Sequence, residues 1–439
     1  MRILVLGSGA REHALCWKLK QSPLVNKLFC APGNAGIANS AELVELIPTD
    51  TKSVVGFALR ERIDLVVVGP EGPLSVGVAD ALDKEHIPVF GPRKSAAQLE
   101  SSKAFAKEFM HRHNIPTARY AVFTSDEERE ARAFLRHVNY PAVIKADGLA
   151  AGKGVIISQT EAEASHALDE IFNQRIFGEA GQKIVIEEFM EGEEASVFAI
   201  TDGTAYAMLS TAQDHKRILD GDRGKNTGGM GAYAPAPIVT QAVMQQVERE
   251  ILEPTLKGLR EEGRVYRGVI YLGLMIRNNR ARVVEYNVRF GDPEAEVILP
   301  LIESDVADIM LKAAEGRLAE ILPIKLFSAS AVTVVIASQG YPDSYQTGET
   351  ISGLESFTQK REIEEGTVVF HGATKMEGHN FVTAGGRVLA VTAVGYADDL
   401  KATITQAYNA VAQIGFNGAY YRSDIGKKAL DTHVHETNA

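Results

Sequence analysis

Ala142-Val143-Ile144-Lys145-Ala146-Asp147-Gly148-Leu149-Ala150-Ala151-Gly152-Lys153-Gly154-Val155-Ile156-Ile157 is two apolar runs around a loop of small residues. Short runs of this kind, bounded by glycine, read as strands. The loop Gly148–Gly154 then makes them a hairpin with a long tip rather than a strand–loop–helix unit. Glycine and alanine let a backbone approach a polyphosphate, and the ammoniums of Lys145 and Lys153 neutralise it. A Walker A loop is excluded, because three residues separate Gly148 from Gly152 and Gly154 follows Lys153. A surface hairpin that binds nothing is the alternative. It leaves two cations beside a glycine loop unexplained, so nucleotide binding is expected here, with Lys145, Gly152 and Lys153 at the phosphates.

Working outward, a helical stretch and a third strand, Ile184–Ile186, follow the hairpin. Glu187-Glu188-Phe189-Met190 comes straight after that strand, with Glu194 just beyond. Acceptors at a strand end can bond ribose hydroxyls, and the strand's backbone can pair with an adenine edge. On its own, a solvated acidic turn accounts for these residues more simply. Further strands are expected at Val269–Ile276 and Ala281–Tyr286, joined by a turn at Asn278-Asn279. In Glu285-Tyr286-Asn287-Val288-Arg289, strand alternation puts Glu285, Asn287 and Arg289 on one face. A carboxylate and an amide oxygen are hard ligands suited to magnesium on phosphate oxygens. A cation two residues on can hold a transferring phosphoryl group. Asp214-His215-Lys216-Arg217 precedes the cluster Gly228-Gly229-Met230-Gly231. It reads equally as a solvated loop or as a hold for a carboxylate substrate, with Asp214 and Lys216 the candidates.

Residues 1–92 alternate strand and helix, which implies a parallel, doubly wound sheet. Gly7-Ser8-Gly9-Ala10-Arg11-Glu12 ends the first strand and opens the first helix, where exposed amides favour a phosphate. The dinucleotide fingerprint fails, because Glu12 stands where a third glycine is required and Ala31-Pro32-Gly33 lacks the acidic residue. The turn is therefore read as a single phosphate site, aided by Arg11, or as a tight turn that binds nothing. Residues 93–120 are expected to be helical, as are 305–320. The last hundred residues hold strands at Val332–Ala337, Val368–His371 and Arg387–Val394. A helix follows with Leu400, Ile404, Tyr408 and Val411 on one face. No catalytic constellation is read there.

The chain has 439 residues and a net charge of −11, with 45% apolar and 23% charged residues. That length implies several domains. The acidic balance without a basic run argues against nucleic acid as the main partner. No apolar run approaches the roughly 18 residues of a membrane span, and the N-terminal run is too short for a secretory signal. Two cysteines, Cys16 and Cys30, fit a reducing cytoplasm and read as small buried residues. The histidines are scattered and suggest no zinc site.

Taken in order, these motifs resemble the ATP-grasp superfamily and, within it, the glycinamide ribonucleotide synthetase family. The resemblance covers nearly the whole chain and rests on GSGAREHAL, APGNAG, VGPEGPLSVGVAD, QLESSKAFAKEFM, VIKADGLAAGKGV, IEEFMEGEEAS, QDHKR, NTGGMGAY and EYNVRFGDPE. It implies an α/β and α+β multidomain chain. A Rossmann-like N-terminal domain would span residues 1–102 and a two-lobed ATP-grasp unit 103–323, with a lid lobe at about 121–192. A small C-terminal α/β domain would span 324–425, followed by a polar tail, 426–439. It also implies ligation of glycine to 5-phosphoribosylamine with ATP and magnesium or manganese, one or two ions. The product is glycinamide ribonucleotide, an early intermediate of purine synthesis.

Carried over residue by residue, the resemblance makes Lys103, Lys145 and Lys153 phosphate-binding lysines. Glu187, Glu188, Phe189 and Met190 become the adenine hinge, and Glu194 the ribose acceptor. Glu285 and Asn287 become metal ligands and Arg289 the cation at the transferred phosphoryl. Gly9, Arg11, Asn34 and Glu71 fall near phosphoribosylamine. A monomer is expected, with a dimer as the alternative. Three positions depart from the family pattern: Lys225 for proline, Ala295-Glu296 for Thr-Gln, and Leu301 for a basic residue. Two other readings compete. One is a biotin-dependent carboxylase, for which Ala373-Thr374-Lys375-Met376 is a poor match to a biotinyl site. The other is an NAD-dependent oxidoreductase, against which Glu12 weighs.

Overall fold

A computed structural model describes residues 1–148, 154–357, 366–397 and 399–430. The N-terminal stretch alternates as expected: β1 (Arg2–Gly7), α1 (Ala10–Leu19), β2 (Lys27–Pro32), β3 (Glu42–Leu43), α2 (Thr51–Arg60), β4 (Leu65–Val68), α3 (Glu71–Val76), α4 (Val78–Lys84) and β5 (Val89–Phe90). The strands form one parallel sheet in the order β3-β2-β1-β4-β5. Ile3, Leu4, Val5 and Leu6 are fully buried, as helices on both faces require. The connections change direction beside β1. The C-terminal ends of β1 and β4, with the Gly7–Glu12 turn and Glu71, therefore border the crevice where such sheets bind ligands.

Two helices, α5 (Lys94–Ser101) and α6 (Lys103–Arg112), occupy most of the segment expected to be helical over 93–120. Ser102 separates them in an extended conformation and caps α6, its hydroxyl accepting from the Phe105 N–H. The end of that segment instead enters β6 (Tyr120–Thr124).

β6 is the edge of an antiparallel sheet with β7 (Ala142–Ala146), β8 (Val155–Ser158) and β9 (Lys183–Glu188), in the order β6-β9-β7-β8. β7 and β8 pair from Ala142↔Ser158 to Lys145↔Val155, which is the expected hairpin. Ile144, Ile184 and Ile186 pack against Leu135, Leu168 and Phe172 behind the sheet.

The chain continues through β10 (Glu193–Thr201), β11 (Tyr206–Met208), β12 (Gln213–Asp214), β13 (Arg217–Leu219), β14 (Arg223–Asn226), β15 (Gly231–Ala234), β16 (Gly268–Arg277) and β17 (Arg280–Asn287). A second antiparallel sheet has the order β11-β10-β16-β17. Asn278 and Asn279 join β16 to β17 with φ of 52° and 56°, the left-handed pair that a two-residue hairpin turn requires. The helix Val306–Glu315 begins as expected but ends at Gly316, in the left-handed conformation.

The last sheet contains β18 (Ala329–Ser338), β19 (Gly366–His371) and β22 (Arg387–Tyr396); β20 (Thr374–Glu377) and β21 (Asn380–Thr383) form a hairpin apart from it. Its order is β12-β15-β18-β22-β19, with β23 (Ala419–Tyr420) also on β18. It therefore reaches back across residue 323, because β15 pairs with β18 from Gly231↔Val334 to Ala234↔Ala331. That pairing fixes both the Asp214–Arg217 segment and the glycine cluster. Leu400, Ala407 and Val411 of the helix Leu400–Val411 are buried against this sheet, and Ile404 and Tyr408 are partly buried. Among the described residues no helix is long and apolar enough to cross a membrane. Cys16 and Cys30 are both free and buried.

Candidate active site

A cavity of about 550 Å³ lies between the two antiparallel sheets and opens toward the ends of β1 and β4. Val143, Val155, Ile157, Phe189, Met190 and Met275 line one part of it, while Lys103, Lys145, Glu285, Asn287 and Arg289 line another. An apolar slot beside convergent charges suits an aromatic base joined to phosphates.

Lys145, at the end of β7, places Nζ 3.0 Å from Glu187 Oε1 and 3.4 Å from the Val284 carbonyl. Lys107 of α6 reaches Glu187 Oε2 at 2.9 Å. Glu187 is 4% exposed, so its buried carboxylate is matched by two cations. Burial holds the Lys107 ammonium down at about 8 despite Glu187. Sequence reasoning missed Lys107. The available signal was its i,i+4 spacing from Lys103 on one helix face. Lys103 donates to the Gly148 carbonyl at 3.0 Å. Asp147 accepts from Ser102 Oγ at 3.0 Å and from the Ala104 N–H at 2.7 Å. The start of the glycine loop is thus pinned to the start of α6. Gly152 and Lys153 lie outside the described residues.

Glu188 faces two arginines. Burial opposes its ionisation, but hydrogen bonds from Arg282 and from Arg119, the latter at 2.7 Å, hold it at about 2. Phe189 is exposed and Met190 buried, both on the cavity wall. Glu194 is ion-paired with Lys216. Asp214 lies beside this pair. Burial pushes its carboxyl up to about 7; Lys216 opposes the shift, and Glu294, Glu194 and Glu285 reinforce it.

The strand β17 itself stops at Asn287, but across its end and the segment just past it Glu285, Asn287 and Arg289 are half-buried and Tyr286, Val288 and Phe290 buried, the expected alternation. It survives a bulge opposite Gly273/Leu274. Within the described residues, no hydrogen bond takes the side-chain oxygens of Glu285 or Asn287, and both line the cavity. Among the described residues no three His, Cys, Asp or Glu gather into a metal-binding group. Two side chains with free hard oxygens beside a phosphate site nevertheless fit magnesium, which keeps waters and takes substrate phosphates as further ligands.

Arg289 reaches two carboxylates: Nη2 lies 2.7 Å from Glu100 Oε1 and Nε 3.2 Å from Glu71 Oε2. Glu100 also accepts from the Val288 N–H at 2.7 Å. Burial pushes it up to about 7; Arg289 opposes this and Glu71 adds to it.

At the Gly7–Glu12 turn the expected phosphate position holds a protein carboxylate. The N–H groups of Ser8 and Gly9 donate to Glu12 Oε2 at 3.1 and 2.6 Å, and Arg11 Nε lies 2.6 Å from Glu12 Oε1. A Cβ at Gly7 or Gly69 would collide with that side chain. A carboxylate in place of the third glycine therefore occupies the amides a pyrophosphate would use, which disposes of the dinucleotide reading. Arg11 still lines the cavity, and its Nη1 donates to the Phe290 carbonyl at 3.2 Å. Gly9 sits beside Asp292. The Asn34 amide donates to the carbonyls of Ser8 and His371, both at 2.7 Å, and accepts from the Gly36 and Ile37 N–H groups. It staples three segments together and is not in the cavity lining.

The C-terminal sheet was expected to add no chemistry, yet it sends Arg387 into the cavity, ion-paired with Asp292 at 3.0 Å. A lone arginine opening a strand gave no local sign of this. Lys375, the residue considered for biotin, pairs with Glu377 at 2.7 Å outside the cavity lining.

The model described as phosphoribosylglycinamide synthetase matches in three parts: N domain over residues 1–100, ATP-grasp (A) domain over 101–295 and C domain over 331–428. The chain belongs to this family. A phosphoribosylamine–glycine ligase of Chlorobaculum tepidum is 50% identical over 98% of this chain and 100% of its own length. A crystal structure of the Thermotoga maritima phosphoribosylamine–glycine ligase superposes with a TM-score of 0.83 at 33% identity, covering 97% of this chain and 100% of that one. A biotin carboxylase domain from Hydrogenobacter thermophilus shares the fold alone, at TM-score 0.72 and 16% identity, over 96% of this chain and 91% of that one. As a phosphoribosylglycinamide synthetase family member, the chain is an ATP-grasp ligase that uses ATP and a divalent metal. Its departures from the family pattern have local explanations. Lys225 forms an exposed pair with Asp343 at 2.8 Å. Leu301 is buried in the core. Burial, with Asp292 adding to it, raises the Glu296 carboxyl well above its usual range.

Proposed function

We propose that this chain joins glycine to 5-phosphoribosylamine at the cavity described, using ATP and releasing ADP and phosphate. The product is glycinamide ribonucleotide, an intermediate of de novo purine synthesis. The observation that carries the reading is one cavity bordered by Lys103, Lys145, Glu285, Asn287 and Arg289 on one side and by Arg11 and Glu71 on the other. The adenine lies in the apolar slot beside Glu187–Met190, with Glu194 toward the ribose. Lys103, Lys145 and Lys153 hold the phosphates. Glu285 and Asn287 would hold one or two magnesium or manganese ions, which when bound neutralise phosphate charge. Asp214 and Lys216 face the glycine. Gly9, Arg11, Asn34 and Glu71 belong to the phosphoribosylamine side. The units 1–102, 103–323 and 324–425 are its working parts, and the enzyme acts in the cytoplasm as a monomer.

A carboxylate does not acylate an amine in water, because an oxide is a poor leaving group. Transfer of the γ-phosphoryl to the glycine carboxylate makes phosphate the leaving group, and the ribosylamine nitrogen then attacks the acyl carbon. Charge on the transferring group spreads over its equatorial oxygens, so cations and positioning do the catalysis. Lys145, Lys153 and Arg289 supply that charge. The test uses glycine labelled with ¹⁸O in its carboxylate. One label atom is expected in the released phosphate per turnover. Label confined to product or water rules the glycyl phosphate out.

A further inference from the structure

Three sides of the Arg289 guanidinium are occupied. Besides Glu100 at 2.7 Å and Glu71 at 3.2 Å, its Nη1 donates to the Phe290 carbonyl at 3.2 Å. The two carboxylates differ in how firmly they are held. The Glu100 side chain is 7% exposed and is anchored by the Val288 N–H. The Glu71 side chain is 31% exposed, opens α3 and lines the cavity, and among the described residues its side-chain hydrogen bond is the one to Arg289. Glu71 is therefore the partner that a ligand can reach and take.

We propose that Glu100 is a positioning residue that fixes Arg289, while Glu71 is an exchangeable partner released to the ribosylamine, so that Arg289 turns to the transferring phosphoryl only when the amine substrate is present. The proposal rests on the reading of the cavity given above.

The physical case is one of matched partners. If ATP alone drew Arg289 to its γ-phosphate, Glu71 would lose its cation in a partly buried place. If the ribosylamine alone drew Glu71 to its hydroxyl and amine donors, Arg289 would lose one of its two carboxylates. When both ligands are present, Glu71 takes the neutral donors and Arg289 the phosphate, and no charge is stranded. Each ligand then strengthens the binding of the other, by an equal factor in both directions. Glycyl phosphate, which water would hydrolyse, is made when an amine is there to take it.

The test compares the affinity of the magnesium complex of an unhydrolysable ATP analogue, AMP-PNP, with that of magnesium ADP, which lacks the γ-phosphate. Ribose 5-phosphate serves as the unreactive sugar. In the wild type, ribose 5-phosphate is expected to tighten AMP-PNP about fivefold or more and leave ADP unchanged. Glu71→Gln should tighten AMP-PNP by a similar factor without the sugar and should raise glycine-dependent ADP release when no amine is present. Glu100→Gln should lower kcat while leaving the KM for ATP and the ADP affinity near wild type. A purely structural role for Glu100 would move these together with the unfolding midpoint. Equal AMP-PNP to ADP ratios in the wild type and Glu71→Gln overturn the exchange. Product formation by the wild type from all three substrates tests the reading of the cavity separately. Its failure removes that reading, whereas its success with unchanged ratios removes the exchange alone.

Discussion

Arg387 Nη1 lies 3.0 Å from Asp292 Oδ1. The same nitrogen donates to the carbonyls of Gly228, Gly229 and Asp292. One side chain from the C-terminal sheet thus holds the glycine cluster against the turn that follows β17. Arg387→Met keeps part of the stem and removes the donors, leaving Asp292 uncompensated beside Glu296. Unfolding by denaturant should show a loss of about 2 kcal/mol, as for charged hydrogen bonds lost at a partly buried pair. The kcat/KM should fall by about 100-fold, because a small misplacement of reacting groups costs that much. Wild-type kcat/KM in this variant would mean the cluster is set without the clamp.

Glu285→Gln removes an anionic hard ligand without changing shape. The magnesium concentration for half-maximal rate should rise by about tenfold or more, with the unfolding midpoint near that of the wild type. The side chain is half-buried on the cavity face of β17, so the core does not depend on it. An unchanged metal titration would remove Glu285 from the metal site.

Glu187 is held between Lys107 at 2.9 Å and Lys145 at 3.0 Å. Glu187→Gln strands two ammoniums, one of them on the almost fully buried Lys107. A stability loss of about 3 kcal/mol is expected, together with weaker ATP binding as Lys145 loses its anchor. Lys107→Met in the same background should recover part of the stability, because one stranded charge is then gone. Additive losses in the double variant would contradict the coupling.

His371 and His13 meet where β19 packs on α1, and the His371 N–H donates to His13 Nδ1 at 2.8 Å. Burial lowers His371 to about 4. Burial, together with His371, lowers His13 well below its usual value. The folded state therefore binds fewer protons than the unfolded state between pH 6.5 and about 4. Their stabilising share is complete above about pH 6.5 and is lost as pH falls through that window, at about 1.4 kcal/mol per pH unit for each histidine. His371→Gln should show a shallower fall over that range in pH-dependent denaturant unfolding. A slope equal to that of the wild type would show that His371 does not carry it.

Where a residue's role follows from its own strand or helix, the sequence was legible. Leu65–Val68 runs over the same four residues in sequence and structure, because an uninterrupted apolar run flanked by turn residues has one stable environment. The shared face of Glu285 and Asn287 was readable for the same kind of reason, since a strand's period of two sets its faces, and the alternation carries on to Arg289 just past the strand's end. The Gly7–Glu12 turn was only half legible. Its position followed from the glycines, but the Glu12 carboxylate folds back onto the turn's own amides, and composition does not reveal that. Residues 93–120 are helical over most of their length, but the break at Ser102 was not legible, because the pattern stays helical on either side of it.

By itself the sequence determined the order of strands and helices, the glycine hairpin, the polar face of β17 and the family. Each is a matter of local periodicity, turn chemistry or an ordered set of short motifs. Tertiary structure alone decided which charges meet. Arg289 and Glu71 are 218 residues apart, and Arg387 stands 95 residues from the Asp292 carbonyl it holds. Glu187 finds its two lysines on α6 and β7, and the C-terminal sheet borrows β12 and β15 from earlier in the chain. Local propensity sets which face of an element a side chain occupies. Its partner is set by how separate elements pack over a shared core, and a buried charge whose partner is missing costs enough to make that choice decisive.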